Sequence, residues 1–193
     1  MLVKTFGCAI IGINAIIVTI EVNSEKGIQF FLVGLPDNAV KESHQRIISS
    51  FSNLGYKFPR KRITINMAPA DIRKEGAAYD LPLAIAVMAV SDQVDVTKLD
   101  QYVIMGELSL DGTLNVIRGV LPMAIRAKQK GFKGIIIPQE NAQEAAVVEG
   151  LEVIGAQNLK EGWGRNPHKT VRGQGLMQIH ERLFRALRSK PSG

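Results

Sequence analysis

Five charged side chains crowd into one short stretch, and they are the first residues here whose types could do chemistry. They are Asp71, Arg73, Lys74, Glu75 and Asp80, within RITINMAPADIRKEGAAYDLPLAIAVMAVS at residues 62–91. Two of the carboxylates Asp71, Glu75 and Asp80, folded together, could act as general acid and general base. Their spacing permits that proximity without demanding it, and helix capping plus solvation accounts for the same residues. A second cluster precedes it, Lys57-Phe-Pro-Arg60-Lys61-Arg62, which could grip phosphate or simply form a solvated loop leading into a strand. His44, His168 and His180 are scattered, and no CxxC or HExxH spacing is present, so a zinc site is not expected. Nothing matches GxxxxGK[ST], the loop that cradles nucleotide phosphates. No serine can be placed beside a histidine and an aspartate. The single cysteine, Cys8, sits in an apolar strand and reads as a packed, inert thiol.

The elements that must position these residues follow from periodicity. Ile63, Ile65 and Met67 alternate with Thr64 and Asn66 as a half-buried strand, which Pro69 ends because proline cannot donate to a ladder. Gly76 closes the charged loop, Asp80 is a plausible N-cap, and Pro82 falls in the first helical turn. Residues 81–90 are apolar on nearly every side, which predicts a helix buried within its domain. Upstream, residues 3–11 and 15–22 read as two strands, residues 24–27 as a turn and residues 28–33 as a third strand. Asp37 caps a predicted helix through about residue 53, with Val40, His44, Ile47, Ile48 and Phe51 on one face, so His44 reads as packed or half-buried. Downstream, residues 102–105 form a short strand, Asp111-Gly112 a hairpin turn, and residues 119–130 an amphipathic helix with Arg126, Lys128 and Lys130 toward water. Strands at 134–137 and 151–154 flank a helix over 139–149. This alternation predicts a two-layer α/β (α+β) domain.

Composition is globular, with 46% hydrophobic and 22% charged residues. The net charge of +6 is unevenly spread. Residues 1–163 hold 17 basic and 17 acidic residues, whereas residues 164–193 hold 7 basic and one acidic. The basicity therefore belongs to the tail, which weakens any broad nucleic-acid-binding face on the body. The expected division is a domain at 1–161 and a basic linker with a possible short helix (176–188) at 162–193. No apolar run has transmembrane length and the N-terminus lacks signal-peptide features, so a cytoplasmic, non-membrane protein is expected.

Several stretches together resemble a family. They are Val33-Gly-Leu-Pro-Asp37 with Ala39-Val-Lys-Glu-Ser43, Phe58-Pro-Arg-Lys-Arg-Ile-Thr-Ile-Asn66, Ala68-Pro-Ala-Asp-Ile-Arg-Lys-Glu-Gly76 with Tyr79-Asp-Leu-Pro-Leu-Ala84, and Gly106-Glu-Leu-Ser-Leu-Asp-Gly112. They resemble the N-terminal domain of bacterial magnesium-chelatase-subunit-I-like proteins, the ComM/YifB group, over about residues 1–160. The resemblance implies a fold like the Lon protease domain, related to domain 2 of ribosomal protein S5. It also implies a module that precedes an AAA+ ATPase in proteins linked to DNA processing and branch migration in natural transformation. Lon-type peptidases use a serine in a loop of the form K-D-G-P-S-A-G and a lysine after a glycine-rich hairpin, a pair in which a lysine of depressed pKa takes the serine's proton. Aligned on Lys74-Glu75-Gly76 and on Gly106-Glu107, this chain has Ala78 and Leu121 at those two positions. The implied module is therefore non-catalytic, with a residual serine peptidase or other hydrolase as the alternative. Its expected partners are the ATPase domain, neighbouring subunits and DNA. Arg60, Lys61, Arg62, Arg73, Lys74 and Glu75 are the candidate contacts, unless all six are plain surface charges. No cofactor or metal is expected in this chain. ATP and Mg belong to the ATPase domain, whose entry Thr170-Val-Arg-Gly-Gln174 resembles but whose nucleotide loop does not follow, so a truncated or altered gene product is expected.

Overall fold

The computed structural model describes residues 1–162. The predicted linker at 162–193, except Gly162, and the predicted helix at 176–188 lie outside them.

A hairpin starts the chain: β1 (Leu2–Ile11) and β2 (Asn14–Glu25) pair antiparallel from Leu2↔Asn23 to Ile11↔Asn14, turning at Gly12-Ile13. The predicted turn at 24–27 starts later than expected, because Asn23, Ser24 and Glu25 pair with Thr64, Ile63 and Arg62 and are held in β2 by that long-range ladder. β3 (Phe30–Val33) follows, then α1 (Asn38–Leu54), which Asp37 caps by accepting the Val40 N–H at 2.8 Å. β4 (Arg62–Ala68) leads through the charged loop and one 3-10 turn (Ala77–Tyr79) into α2 (Asp80–Val90). All eleven residues of α2 are buried, as its unbroken apolar composition predicts.

Next come β5 (Tyr102–Ile104), the small hairpin β6 (Glu107–Leu108) and β7 (Leu114–Asn115), and α3 (Val120–Gln129). Arg126 is half-buried, with an Nε that is buried and has no hydrogen-bond partner, which corrects its assignment to the water-facing side. β8 (Gly134–Pro138), α4 (Ala142–Ala145), β9 (Glu152–Ala156) and α5 (Leu159–Gly162) complete the described chain. The predicted helix over 139–149 is reduced to a 3-10 turn (Gln139–Asn141) and the four residues of α4. Asn141 is drawn inward there, where its side chain bonds both the N–H and the C=O of Ile117 at 2.9 Å.

The main sheet runs β3-β4-β2-β1-β5-β8-β9, with four of its six neighbouring pairs parallel. On β1 the side chains alternate between faces. Thr5 and Gly7 face α2: Thr5 Oγ1 donates to the Pro82 carbonyl at 3.3 Å, and Gly7 lies against the Tyr79 ring. Phe6 and Ile10 face the other way, Phe6 edge-on to Phe132 at 5.2 Å and Ile10 against Gly119 at the start of α3. The mixed α/β class is as predicted, with the charged loop leaving the end of β4.

Candidate functional site

The charged loop is tied down by its backbone and by two side chains that point inward. Lys74 donates its N–H to the Leu35 carbonyl at 3.1 Å and accepts the Asp37 N–H at 2.9 Å, so the loop runs beside residues 35–37. Asp37 then accepts the Gly76 N–H at 3.0 Å, so one carboxylate both caps α1 and closes the loop. The Lys74 side chain is fully buried, and its ammonium donates to the carbonyls of Gly34 (2.8 Å) and Pro69. Burial lowers its pKa, and Asp71 partly offsets this. Lys74 is thus a cross-brace between two loops. It is neither a surface charge nor free to meet DNA, because two main-chain carbonyls take up its ammonium.

Asp80 is also inside. It is the first residue of α2, with no capping hydrogen bond, and it is completely buried. Its Oδ2 accepts from Arg46 Nε at 2.6 Å and from the Leu108 N–H at 3.1 Å; its Oδ1 accepts from Arg46 Nη2 at 2.9 Å and from Ser43 Oγ. Burial pushes the carboxyl pKa up, opposed by these hydrogen bonds and by the Arg46 charge. Asp80 therefore joins α1, α2 and the β6–β7 hairpin, which replaces its predicted role as an N-cap. Ser43 and Arg46 escaped the sequence reading. The signal was there, since Ser43 and Ser50 interrupt the buried face of α1 with small polar residues where α2 approaches closely.

Between the end of β1, the charged loop, residues 116–119 and Met123 lies a groove of about 680 Å³. Ala77 and Ala78 form one wall and Ile10, Ile72 and Val116 add apolar surface. Asp71, Arg73, Glu75, Glu107 and Arg118 supply its charges. Arg73 and Glu75 pair with each other at 3.2 Å, both well exposed. Asp80 does not line the groove, so of the three carboxylates considered for acid–base work only Asp71 and Glu75 meet there, and Glu75 is taken up by Arg73. Ala78 lines the groove and Leu121 does not; the Leu121 N–H is bonded to Glu144 at 2.9 Å. No serine, threonine, lysine or histidine is among the described lining residues. Cys8 is, but it is only 1% exposed and burial pushes its thiol up to about 12, far from a thiolate at neutral pH. Tyr79 donates its hydroxyl to the Cys8 carbonyl at 2.8 Å, and burial raises its pKa as well.

The basic cluster lies elsewhere. Arg60 and Lys61 are exposed and border a separate shallow cleft, while Arg62 reaches over the Phe31 ring, 5.2 Å from its centroid. His44 stacks on Phe30 at 4.0 Å and meets Phe58 edge-on at 5.2 Å, a packed histidine as predicted, with its pKa lowered by burial. No described helix is long and apolar enough to cross a membrane.

The mostly parallel mixed sheet defines an α/β domain, and sequence matches to Lon proteases fit a Lon-like fold. The chain is 31% identical over 123 residues to Lon protease 2 of Bacillus subtilis, covering 63% of this chain and 22% of that protein. The family model described as subunit ChlI of Mg-chelatase matches residues 20–141, and the chain belongs to this family. It is 46% identical over 152 residues to Competence protein ComM of Haemophilus influenzae, covering 78% of this chain and 30% of that protein. It is 43% identical over 153 residues to YifB of Escherichia coli, covering 79% and 30%. The chain thus spans about a third of the length of these relatives.

Proposed function

We propose that this domain is a catalytically silent, cytoplasmic N-terminal module of an AAA+ ATPase of the ComM/YifB kind, serving assembly or regulation of the motor. ATP and Mg act in the ATPase domain, and the groove beside Ala78 receives an extended protein segment from that domain or from a neighbouring subunit. The observation that carries this reading is a groove with binding surface but no serine and no lysine among its described lining residues: Ala78 in its wall, Leu121 outside it, and Cys8 locked as a thiol. The end of β1 supports it too. Cys8 turns its N–H and C=O away from β2, toward Met105 Sδ and the Tyr79 hydroxyl. Ile10, two residues on, has the same orientation beside the groove, which suits strand addition. Of the carboxylate pairs that a hydrolase could use, those with Asp80 are disfavoured by its interior position, and Asp71 with Glu75 by the ion pair of Glu75 with Arg73.

The test is calorimetric titration of the full chain with the ATPase domain of a longer relative, beside an assay with casein and fluorogenic peptides. Binding that Ile72→Arg weakens, without peptide cleavage, supports the reading; peptide cleavage ends it. A second reading, DNA guidance, draws on the exposed Arg60 and Lys61. It predicts salt-dependent DNA binding that falls when Arg60, Lys61 and Arg62 are changed to Ala.

A further inference from the structure

The cleft beside Arg60 and Lys61 has a composition of its own. It measures about 930 Å³ and lies between the C-terminal end of α1, residues 56–61 and the segment after α2. Ile48, Tyr56 and Pro59 give it half-buried apolar surface, and Lys57, Arg60 and Lys61 stand exposed around them. No carboxylate is among its described lining residues, and none of the three cations forms an ion pair among the described residues.

The backbone that presents these cations is held in place. Gln93 accepts the Lys57 N–H at 3.0 Å and donates to the Lys57 carbonyl at 2.8 Å, clamping the residue from both sides. Phe58 packs among Phe30, His44 and Phe51, and Tyr56 lies 6.0 Å from the Phe51 ring. Gly55 ends α1 in the left-handed conformation, and the Tyr56 N–H bonds the Phe51 carbonyl at 2.8 Å, which sets the direction of the loop. A surface fixed in this way loses little freedom on binding.

We propose that this cleft docks an acidic–apolar peptide segment of a protein partner, with carboxylates on Lys57, Arg60 and Lys61 and an apolar side chain on Ile48, Tyr56 and Pro59. Charge distribution favours a peptide over a polynucleotide. Polynucleotide binding draws on many phosphates and a broad positive field. Residues 1–163 carry equal numbers of basic and acidic residues, so the body offers no net positive field beyond such local clusters. A compact ligand with a few carboxylates and one or two apolar anchors matches both the cluster and the floor. The cleft is distinct from the groove beside Ala78, so the proposal stands whether or not that groove binds a segment.

The experiment uses the full 193-residue chain and a fluorescent peptide of alternating Asp/Glu and Leu/Phe, followed by anisotropy and by amide chemical shifts. Residues 164–193 attract any polyanion, so the decisive readouts are differential. Arg60→Glu with Lys61→Glu is expected to weaken peptide binding about tenfold. Replacing the peptide's Leu and Phe by Ser, with all acids kept, is expected to weaken it about tenfold or more. Shifts should centre on Ser52, Tyr56 and Gln93. Binding unaffected by the charge reversal, equal binding of the Ser-substituted peptide, or tighter binding of an oligodeoxythymidylate sensitive to the same reversal would each overturn the proposal.

Discussion

Lys74 and Asp80 have the same charge types as Arg73 and Glu75 beside them in sequence, yet they do opposite work. Arg73 and Glu75 form a solvated pair of the kind worth little to stability, whereas Lys74 and Asp80 are wholly buried and hydrogen-bonded. Lys74→Met keeps the length and removes the ammonium, leaving the Gly34 and Pro69 carbonyls unpaired; a loss of about 2–3 kcal/mol is expected by urea unfolding. Asp80→Ala leaves Arg46 facing a vacated site and should cost about 3–5 kcal/mol, with Arg46→Ala far from additive to it. His44 gives a pH dependence. Burial holds its folded-state pKa below the ordinary histidine value of 6.5, so the unfolded chain binds more protons. Its contribution is therefore full above the unfolded pKa and is lost as pH falls through the folded one. The melting temperature should drop as pH falls below the ordinary histidine value of 6.5, by less in His44→Phe.

At the scale of elements, the loop carrying Lys74 is held by the segment between β3 and α1. Gly34 there has φ of 100°, and a Cβ would collide with the Met67 carbonyl oxygen of the neighbouring strand β4. Gly34→Ala is expected to cost more than about 3 kcal/mol and to speed amide exchange across residues 69–76. Elements with strong local patterns were legible in the sequence. These include α2, apolar at all but its first position, α1 with its Asp37 cap and Gly55 terminus, and the hairpin around Asp111-Gly112. Residues 139–149 misled because their helical composition is overruled by Asn141, whose side chain serves the backbone of Ile117. The tail of β2 misled for the reverse reason, since Asn23, Ser24 and Glu25 look like turn residues until β4 pairs with them.

For the whole molecule, the two clefts separate what the sequence had grouped as six candidate contacts. Arg73 and Glu75 belong to the groove beside Ala78, Arg60 and Lys61 to the cationic cleft, Arg62 to the Phe31 ring, and Lys74 to the interior. A serine placed at Ala78 would still lack the lysine or histidine that activates such a nucleophile, because neither is among the described lining residues of the groove. Ala78→Ser is therefore expected to show no hydrolysis of casein or fluorogenic peptides above the background of the unmodified chain.

The sequence by itself determined the class of the domain, the burial of α2 and the neutral body with its basic tail. Those follow from local periodicity, composition and motif spacing, which need no knowledge of distant contacts. Only the tertiary structure decided which charges turn inward. Lys74 and Asp80 point to the interior because partners 34–40 residues earlier in the chain — Gly34, Ser43 and Arg46 — fold over them, and no local pattern records a partner that far away.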